Sequence, residues 1–402
     1  MTEPGQIFTR TLCETVGREA LTTRLSEEFF LADLGAEAVD SLLTFEDLNH
    51  LLATRSPEPP RLRLHRGGSP VPLEAYTDVA TESRSSRRVI RPESLYGQLR
   101  EGASLVLDSI DRMHAPIGAA ADDLMRLVRE RAQANLYLIW GESRGFDTHW
   151  DGHDSVIVQV AGAKHWQVHG PGSRPFPMRV DTDHSHGPPR GADGELSMVW
   201  EGVLRPGQAI HVPRGWWHTV TGTGEMSMHL TFGFTRATGV DWAESLVRRL
   251  HEEEVFRRDL PRFASPEQRR KHRHELLSRL SELAEEGDLD SFLAERDGRF
   301  PRRTSYSLPW PVEEVLPTEG ARVEFVPILP PPVSREPDGK VALTVAGRRY
   351  RFPGVVEPVL EILAEERSLT VGELGERSGL GAEVAAQAVS ALVRHHLVLI
   401  QG

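Results

Sequence analysis

The chain has 402 residues, of which 39% are apolar, and a formal net charge of −12. This length predicts two or three domains with ordinary hydrophobic cores. The acidic balance argues against a general electrostatic attraction to nucleic acid or to anionic membranes.

Compartment signals are few. No stretch reaches the roughly 18 to 20 uninterrupted apolar residues that a membrane helix needs, and no basic region followed by an apolar run indicates a secretory signal. The single cysteine, Cys13, excludes an intramolecular disulfide and fits a reducing compartment. We therefore expect a cytoplasmic protein without membrane contact, in which Cys13 is a packing residue.

The first 134 residues predict a mixed helical and extended region. The predicted helices are residues 1 to about 40, 41–53, 92–100 and 119–134. The predicted strands are 61–64 and 104–107, with a Gly-Gly-Ser-Pro turn at 67–70. The segment SRSSRR, residues 83–88, is predicted to be a solvated basic loop.

A run of short strands follows. They are predicted at 135–140, 155–160, 164–169, 196–204, 209–212, 218–221 and 226–234. Between the third and fourth lies a polar loop, 181–190, that is rich in Asp and His. It could serve as a second metal site, but we interpret it as a flexible loop, because polar turns without flanking strands seldom fix a coordination geometry.

Within this region the pattern His149-x-Asp151 carries chemistry. In an extended strand, residues two apart point to the same face, so the imidazole and the carboxylate can converge. With a distant second histidine they form the 2-His-1-carboxylate set that holds Fe(II) and leaves coordination positions open. Asp147 and His153 share the same parity, so spacing alone does not say which residues are ligands.

The candidate for the distant histidine is His218, which follows the turn Pro213-Arg214-Gly215 in the segment GQAIHVPRGWWHTV. A double-stranded β-helix brings strands that are far apart in sequence onto opposite walls of one barrel. The long gap between His149 and His218 is therefore no obstacle.

Taken together, these motifs resemble the JmjC branch of the cupin-type, 2-oxoglutarate-dependent oxygenases, and in particular its ribosomal-oxygenase-like group. The motifs that carry the resemblance are Asn135-Leu-Tyr137, Gly145-Phe-x-x-His149-x-Asp151, Gln159-Val-x-Gly162-x-Lys164-x-Trp166, Pro213-Arg214-Gly215-x-x-His218 and His229-Leu-Thr231. The resemblance implies that His149, Asp151 and His218 bind Fe(II). The position of Lys164 relative to His149 selects the first His-x-Asp pair.

The resemblance also implies a cosubstrate pocket. Lys164 would pair with the distal carboxylate of 2-oxoglutarate, and Asn135 would line the pocket. Tyr137 shares strand parity with Asn135 and could contact substrate, although barrel packing is an equal alternative. For Trp166 we favour barrel packing. His229 could support the pocket or be a hydrogen-bonded core histidine.

The implied fold class is α+β, a double-stranded β-helix (cupin/JmjC barrel) with a helical preface, a helical dimerisation bundle and a C-terminal winged-helix domain. The expected domains are an oxygenase domain at 1–238 with its barrel core at about 135–234, a helical dimerisation region at 239–300, a proline-rich connector at 301–339 and a winged helix at 340–402. The connector is expected to be polyproline II rather than core.

The C-terminal segment predicts a hairpin, three helices and a closing strand, with a capping box formed by Thr370 and Glu373. From residue 340 onward seven Lys/Arg face seven Asp/Glu. A surface that follows phosphates needs clustered positive charge, so we expect no nucleic-acid partner. The paired, charged helices before it carry narrow apolar stripes, which favour a homodimer.

Three functions fit these features. The first is an Fe(II)- and 2-oxoglutarate-dependent dioxygenase that hydroxylates an Arg or His side chain of a ribosomal protein, as the implied domain order suggests. The second is a hydroxylase that tailors a natural-product peptide. The third is a non-enzymatic cupin binding module, which is disfavoured because the three ligands and Lys164 occur together. N-methyl demethylation uses the same oxidant, but no aromatic cage is readable here.

Overall fold

The computed structural model of the chain describes residues 4–82, 85–142, 147–172, 175–178, 180–181, 187–188, 197–313 and 315–401. The chain divides into two compact units, Met1–Arg236 and Ala237–Gly402. Among the described residues, every helix is too short or too polar to span a bilayer.

Unit 1 is a sheet with a helical preface. Its strands are β1 (Phe30–Asp33), β2 (Leu62–Arg66), β3 (Ser69–Pro70), β4 (Thr77–Glu82), β5 (Ser85–Ile90), β6 (Ser104–Leu107), β7 (Ala132–Ile139), β8 (Asp154–Pro171), β9 (Met198–Leu204), β10 (Gln208–Val212) and β11 (Trp216–Phe234). Its helices are α1 (Pro4–Val16), α2 (Arg18–Thr23), α3 (Gly35–Asp40), α4 (Phe45–Arg55), α5 (Pro92–Arg100) and α6 (Ala115–Val128).

The main sheet runs in the order β1-β10-β8-β11-β7-β6-β2-β3, with β9 beside β8. The two longest strands organise it. Residues 154–162 of β8 pair with 227–234 of β11, and residues 164–171 pair with 216–222. The first half of β8 also pairs with β10 and the second half with β9, so one strand belongs to two local sheets. The barrel core is therefore built around β8 and β11.

Gly162 lies where the two halves of β8 meet. Its φ is +62°, and a Cβ at this position would lie 1.7 Å from the carbonyl oxygen of Met226. Only glycine permits both this backbone conformation and this approach of β11. The predicted separate strands 155–160 and 164–169 are thus one strand, since β11 pairs with the backbone on both sides of Gly162. The predicted strands 218–221 and 226–234 merge into β11 for the same reason.

The helical preface packs on this sheet through apolar side chains. Phe8 of α1 stacks on Phe232 of β11 with 5.3 Å between ring centroids, and both rings are fully buried. A second buried cluster lies between β8, β9 and β10 and includes Ile157, Trp166 and Ile210. Burial of these side chains stabilises the strands that present the polar residues described below.

Three expectations for unit 1 need correction. Residues 30–33, expected to be helical, form β1, because they pair with β10. Residues 85–90 form a strand that pairs with β4, so this part of the expected basic loop is a hairpin arm, while 83 and 84 lie outside the described residues. Most of the 181–190 loop also lies outside them. The helix expected at 119–134 is α6, which starts earlier and ends before β7.

Unit 2 begins with helices and ends with a mixed segment. Its helices are α7 (Gly239–Leu250), α8 (Glu254–Arg257), α9 (Pro266–Glu286), α10 (Leu289–Gly298), α11 (Trp310–Glu313), α12 (Glu357–Glu366), α13 (Val371–Ser378) and α14 (Gly381–Val393). Its strands are β12 (Arg322–Phe325), β13 (Val333–Arg335), β14 (Lys340–Val345), β15 (Arg348–Pro353), β16 (Ser368–Thr370) and β17 (Val398–Gln401). The predicted capping box is present, since Thr370 accepts from the Glu373 backbone and Glu373 from that of Thr370.

The proline-rich stretch 301–339 differs from the expected connector. It contains β12, which lies between β16 and β17 in one sheet. Val323 and Phe325 of this strand are 0% and 1% exposed and belong to the core of unit 2. The prolines flank the strand instead of interrupting it, so this segment contributes core and not only a spacer.

Candidate metal centre

His149 and His218 are neighbours in the structure. Their backbones form an isolated antiparallel bridge, in which the His218 amide donates to the His149 carbonyl at 2.8 Å and the His149 amide donates back at 3.2 Å. The Gly215 amide also donates to the Asp151 carbonyl at 2.8 Å. The expectation of opposite walls is therefore wrong, because the segment before β8 pairs directly with the start of β11.

The side chains of His149, Asp151 and His218 converge. One potential ligand atom from each lies within 4.8 Å of the other two, and His218 Nε2 lies 3.8 Å from Asp151 Oδ2. The two imidazole centroids are 4.4 Å apart, with the rings tilted by 57°. Two imidazoles and one carboxylate therefore face a common point.

Backbone carbonyls fix the orientation of both imidazoles. Nδ1 of His149 lies 2.7 Å from the carbonyl oxygen of Asp147, and Nδ1 of His218 lies 3.3 Å from that of Trp216. Because a carbonyl can only accept, each Nδ1 carries a proton, and Nε2 is the atom that each ring can offer to a metal ion. Burial, with the nearby His149, lowers the pKa of His218 to about 4. His218 is thus a neutral imidazole at neutral pH, as metal ligation requires.

The two alternative ligands that share the strand parity lie elsewhere. The carboxylate of Asp147 faces Gly68, where a Cβ would lie 3.3 Å from Oδ2. The His153 ring lies against Gly233, where a Cβ would lie 2.5 Å from Cδ2. Within the described ranges, His149, Asp151 and His218 form the only such group of three His, Cys, Asp or Glu side chains whose ligand atoms converge.

Lys164 projects into the interior of the barrel. It is 7% exposed, and burial lowers the pKa of its ammonium to about 7. Its Nζ lies 3.2 Å from Nδ1 of His229. Among the residues that the structure describes, it forms no ion pair with a carboxylate, so its positive charge has no counter-ion there.

Asn135 and Tyr137 lie on β7 beside this cation. The sheet register pairs Tyr137 with His229 and Asn135 with Thr231, which places both side chains on the same face. Asn135 Oδ1 accepts from the Ser109 amide at 3.0 Å, and its side chain hydrogen-bonds Tyr137. Burial, together with the charge of Asp151, raises the pKa of Tyr137 to about 12. Tyr137 therefore keeps its hydroxyl proton and can donate a hydrogen bond.

Two features near the site were not predicted. Arg63 of β2 forms a bidentate ion pair with Asp108, at 2.9 Å for each bond, and both charges act on Tyr137. Trp166 does pack in the core, as predicted, but its ring also stacks on His218 at 5.9 Å. The stacking of Trp166 on His218 could have been anticipated, because Trp166 lies two residues after Lys164 on β8 and its side chain is therefore on the same face. The Arg63 pair depends on the register of β2, β6 and β7, which no local pattern specifies.

Several known proteins resemble this chain. The family described as JmjC domain matches residues 112–241, which include β7, all three clustered residues and Lys164. Residues 112–241 therefore resemble a JmjC domain. This confirms the resemblance expected from the sequence, and with it the cupin-type JmjC fold of mixed helix and sheet content.

Two curated relatives are similar to part of this chain. Ribosomal oxygenase 1 of Bos taurus is 30% identical over 273 residues, which are 64% of this chain and 36% of that protein. The bifunctional lysine-specific demethylase and histidyl-hydroxylase NO66 of Drosophila persimilis is 27% identical over 233 residues, 52% of this chain and 29% of that protein. The matched region is about a third of the length of these curated relatives.

Solved structures resemble the chain over nearly its whole length. YcfD, a ribosomal oxygenase from Escherichia coli, aligns with a TM-score of 0.54 and 16% identity, covering 96% of this chain and 97% of YcfD. The complex of YcfD with cobalt and 2-oxoglutarate aligns with a TM-score of 0.54 and 17% identity, covering 96% and 98%. At this identity the likeness shows a shared fold.

Proposed function

We propose that this protein is an Fe(II)- and 2-oxoglutarate-dependent dioxygenase that hydroxylates a protein side chain, an Arg or His of a ribosomal protein. The observation that carries the proposal is the combination of two sites in one barrel. The first is the cluster of His149, Asp151 and His218, and the second is the buried Lys164, which has no carboxylate partner among the described residues.

The three clustered residues fit a divalent iron ion. Two imidazoles and one carboxylate on one side of an ion are the facial set typical of Fe(II) oxygenases, and they leave the opposite positions open. Carbonyl acceptors at Nδ1 hold both rings in the tautomer that presents Nε2, which is how proteins usually orient ligating histidines. When bound, Fe(II) and 2-oxoglutarate would activate O₂, which is the oxidant for hydroxylation of a C–H bond, while 2-oxoglutarate would be converted to succinate and CO₂.

The surroundings of the buried Lys164 fit a dicarboxylate. A buried ammonium without a counter-ion is costly, and an anionic ligand would remove that cost. Lys164 would hold the distal carboxylate of 2-oxoglutarate, while Asn135 lines the pocket and Tyr137 donates from its neutral hydroxyl. We assign Tyr137 a substrate contact as well, because the charge of Asp151 acts on its pKa and the hydroxyl is therefore close to the metal cluster.

The relatives support the substrate class. The Bos taurus relative and YcfD are named as ribosomal oxygenases. The Drosophila persimilis relative is named as a lysine-specific demethylase and histidyl-hydroxylase. An acidic protein also suits a basic partner, because opposite charge speeds encounter. Hydroxylation of a natural-product peptide is the alternative. N-methyl demethylation is a further outcome of the same test, because the Drosophila name includes it.

The test is incubation of the metal-loaded protein with 2-oxoglutarate, O₂ and purified ribosomal proteins, followed by peptide mapping. We expect one residue to gain the mass of one oxygen, with matching succinate release. The His218→Ala variant serves as the control without a metal centre. Loss of a methyl group would change the reaction to demethylation. If succinate forms only with a non-ribosomal peptide, the natural-product alternative replaces this proposal.

For unit 2 we propose a homodimer through the helices of 239–300. Several apolar residues on α7, α9 and α10 are about half exposed, among them Val247, Leu277 and Leu289. A narrow apolar stripe on charged helices suits contact with a second copy.

We also propose that residues 340–402 form a winged helix that docks protein instead of nucleic acid. This segment has a hairpin, three helices and a closing strand, and its Lys/Arg and Asp/Glu residues balance. The single cysteine favours a cytoplasmic location.

A further inference from the structure

The Lys164–His229 contact is a buried hydrogen bond between two titratable groups. Nζ and Nδ1 are 3.2 Å apart, and the two residues are 7% and 5% exposed. Burial, and then the charge of Lys164, holds the pKa of His229 well below its ordinary range. His229 is therefore neutral, and its Nδ1 accepts from Lys164 while Nε2 carries the proton.

Two aromatic rings hold the imidazole of His229 in place. Tyr137 stacks on it with 4.9 Å between centroids and an interplanar angle of 9°. Trp166 meets it nearly at a right angle, at 5.9 Å and 74°. The imidazole therefore keeps one orientation, and Nδ1 stays directed at the ammonium.

Among the residues that the structure describes, the elements beside Lys164 offer its ammonium no compensating charge. The residue that β9 places opposite Lys164 is Leu204, and the one that β11 places opposite is Gly222. On β7 the titratable neighbour is Tyr137, whose hydroxyl is neutral. The charges of Arg63 and Asp108 also act on Tyr137, but these two residues neutralise each other in a bidentate ion pair. On the metal side the titratable groups are His149, Asp151 and His218.

The residue type at position 164 determines whether the buried side chain can lose its charge. Only three of the 47 basic residues of the chain are lysines, Lys164, Lys271 and Lys340. An arginine at this position would remain charged however deeply it is buried, whereas a lysine can release its proton. Lysine thus permits an uncharged resting pocket.

We propose that His229 is the positioning residue for Lys164, and that binding of the 2-oxoglutarate dianion draws one proton from solvent onto this pair. The inference rests on the proposed function. The proton comes from the buffer and adds to the lone pair of Lys164 Nζ, and no bond of the cosubstrate changes. His229 then accepts one N–H of the ammonium and leaves the others for the carboxylate.

The pH dependence follows from the pKa of Lys164 in the empty pocket, about 7. At about pH 8 nearly nine in ten pockets hold a neutral amine, so binding takes up about 0.9 proton. At about pH 6 binding takes up about 0.1 proton. Above pH 7 the apparent Kd rises about tenfold per pH unit, because each bound dianion must recruit its proton.

Isothermal titration calorimetry measures this directly. The full chain is loaded with Mn(II) without O₂ and titrated with 2-oxoglutarate, in two buffers with different ionisation enthalpies at each pH. The matched variants are His229→Asn, which keeps an acceptor near the position of Nδ1, and His229→Phe, which keeps a stacking ring without an acceptor. Circular dichroism and Mn(II) affinity verify that both are folded.

We expect His229→Asn to keep the wild-type profile of proton uptake. In His229→Phe the ammonium loses its acceptor, so the midpoint of proton uptake moves about one pH unit lower and the Kd at about pH 8 rises about tenfold, with little change at about pH 6. Equal weakening at every pH would reveal a merely structural role. Wild-type binding without proton uptake would overturn this inference alone, whereas unchanged binding in Lys164→Met would overturn the proposed cosubstrate site itself.

Discussion

Replacement of Lys164 with methionine is expected to have two effects: it should stabilise unit 1 and strongly weaken cosubstrate binding. Burial moves the pKa of this lysine from its ordinary 10.5 to about 7. Each pH unit of displacement is worth about 1.4 kcal/mol, so holding the charge in the folded protein costs roughly 4 to 5 kcal/mol. Methionine fills a similar volume without the charge. Recovery of only half of this cost would raise Tm by about 4 to 8 °C.

The sign of the pH dependence is fixed by the direction of the pKa shift. As pH rises, the folded protein releases the Lys164 proton near pH 7, whereas the unfolded chain keeps it up to about 10.5. The wild type therefore gains stability across this window, since the unfolded state binds more protons there. The stability difference between variant and wild type is largest below pH 7 and shrinks toward pH 10.

Cosubstrate affinity moves in the opposite direction. Removal of one partner of a buried charge pair costs about 2 to 5 kcal/mol, which is about 30-fold to several thousand-fold in Kd. Thermal unfolding without ligand, at two pH values, and titration of the metal-loaded protein with 2-oxoglutarate measure the two effects. The exposed Lys271→Met on α9 is the matched control and should change neither. A Lys164→Met protein that is less stable than wild type below pH 7, or that binds 2-oxoglutarate normally, would refute the reasoning.

Four further changes test the remaining parts of the structure. His218→Ala should weaken metal binding by about 100-fold or more and remove turnover, as an anaerobic metal titration would show. Tyr137→Phe should raise the 2-oxoglutarate or substrate KM about 2- to 10-fold without changing the pH profile below about pH 10, because only a neutral hydroxyl donor is lost. Gly162→Ala should leave little folded protein, whereas Gly187→Ala, with the same φ of +62° and no atom of the described residues within 4 Å of its Cβ, should cost only about 1 kcal/mol in thermal unfolding. Light scattering at micromolar concentration should give twice the chain mass of 44.9 kDa and a monomer for Leu277→Glu; a monomeric wild type contradicts the dimer.

The metal cluster was predictable because short spacing and strand parity determine it. His149 and Asp151 lie two residues apart, and the resemblance supplied the distant His218. What the sequence could not provide was the pairing between them. The backbone bridge from His149 to His218 depends on how the segment before β8 meets the start of β11, and this is a property of the closed barrel.

Local signals also predicted the elements of unit 2 that depend on neighbouring residues. The three helices predicted in the C-terminal segment are present as α12, α13 and α14, and the predicted capping box of Thr370 and Glu373 begins α13. The strand β12 was missed because its partners lie far away in sequence, at 368–370 and 398–401, and because the surrounding prolines suggested an extended spacer. The strand β1 was missed for the same reason, since its partner β10 follows much later.

The role of His229 is the part of the site that the sequence could not predict. Parity on β11 put its side chain on the same face as Thr231, which left a supporting role and a core role equally open. The deciding contact is the 3.2 Å approach of Lys164, and it depends on the irregular pairing of β8 with β11 between Gly222 and Ser227 and again between Met228 and His229. These shifts displace the second half of β11 relative to β8. The barrel therefore uses an irregularity of its longest strand pair to bring a proton acceptor to its one buried lysine, and a chain with the same motifs but a regular register would lack this contact.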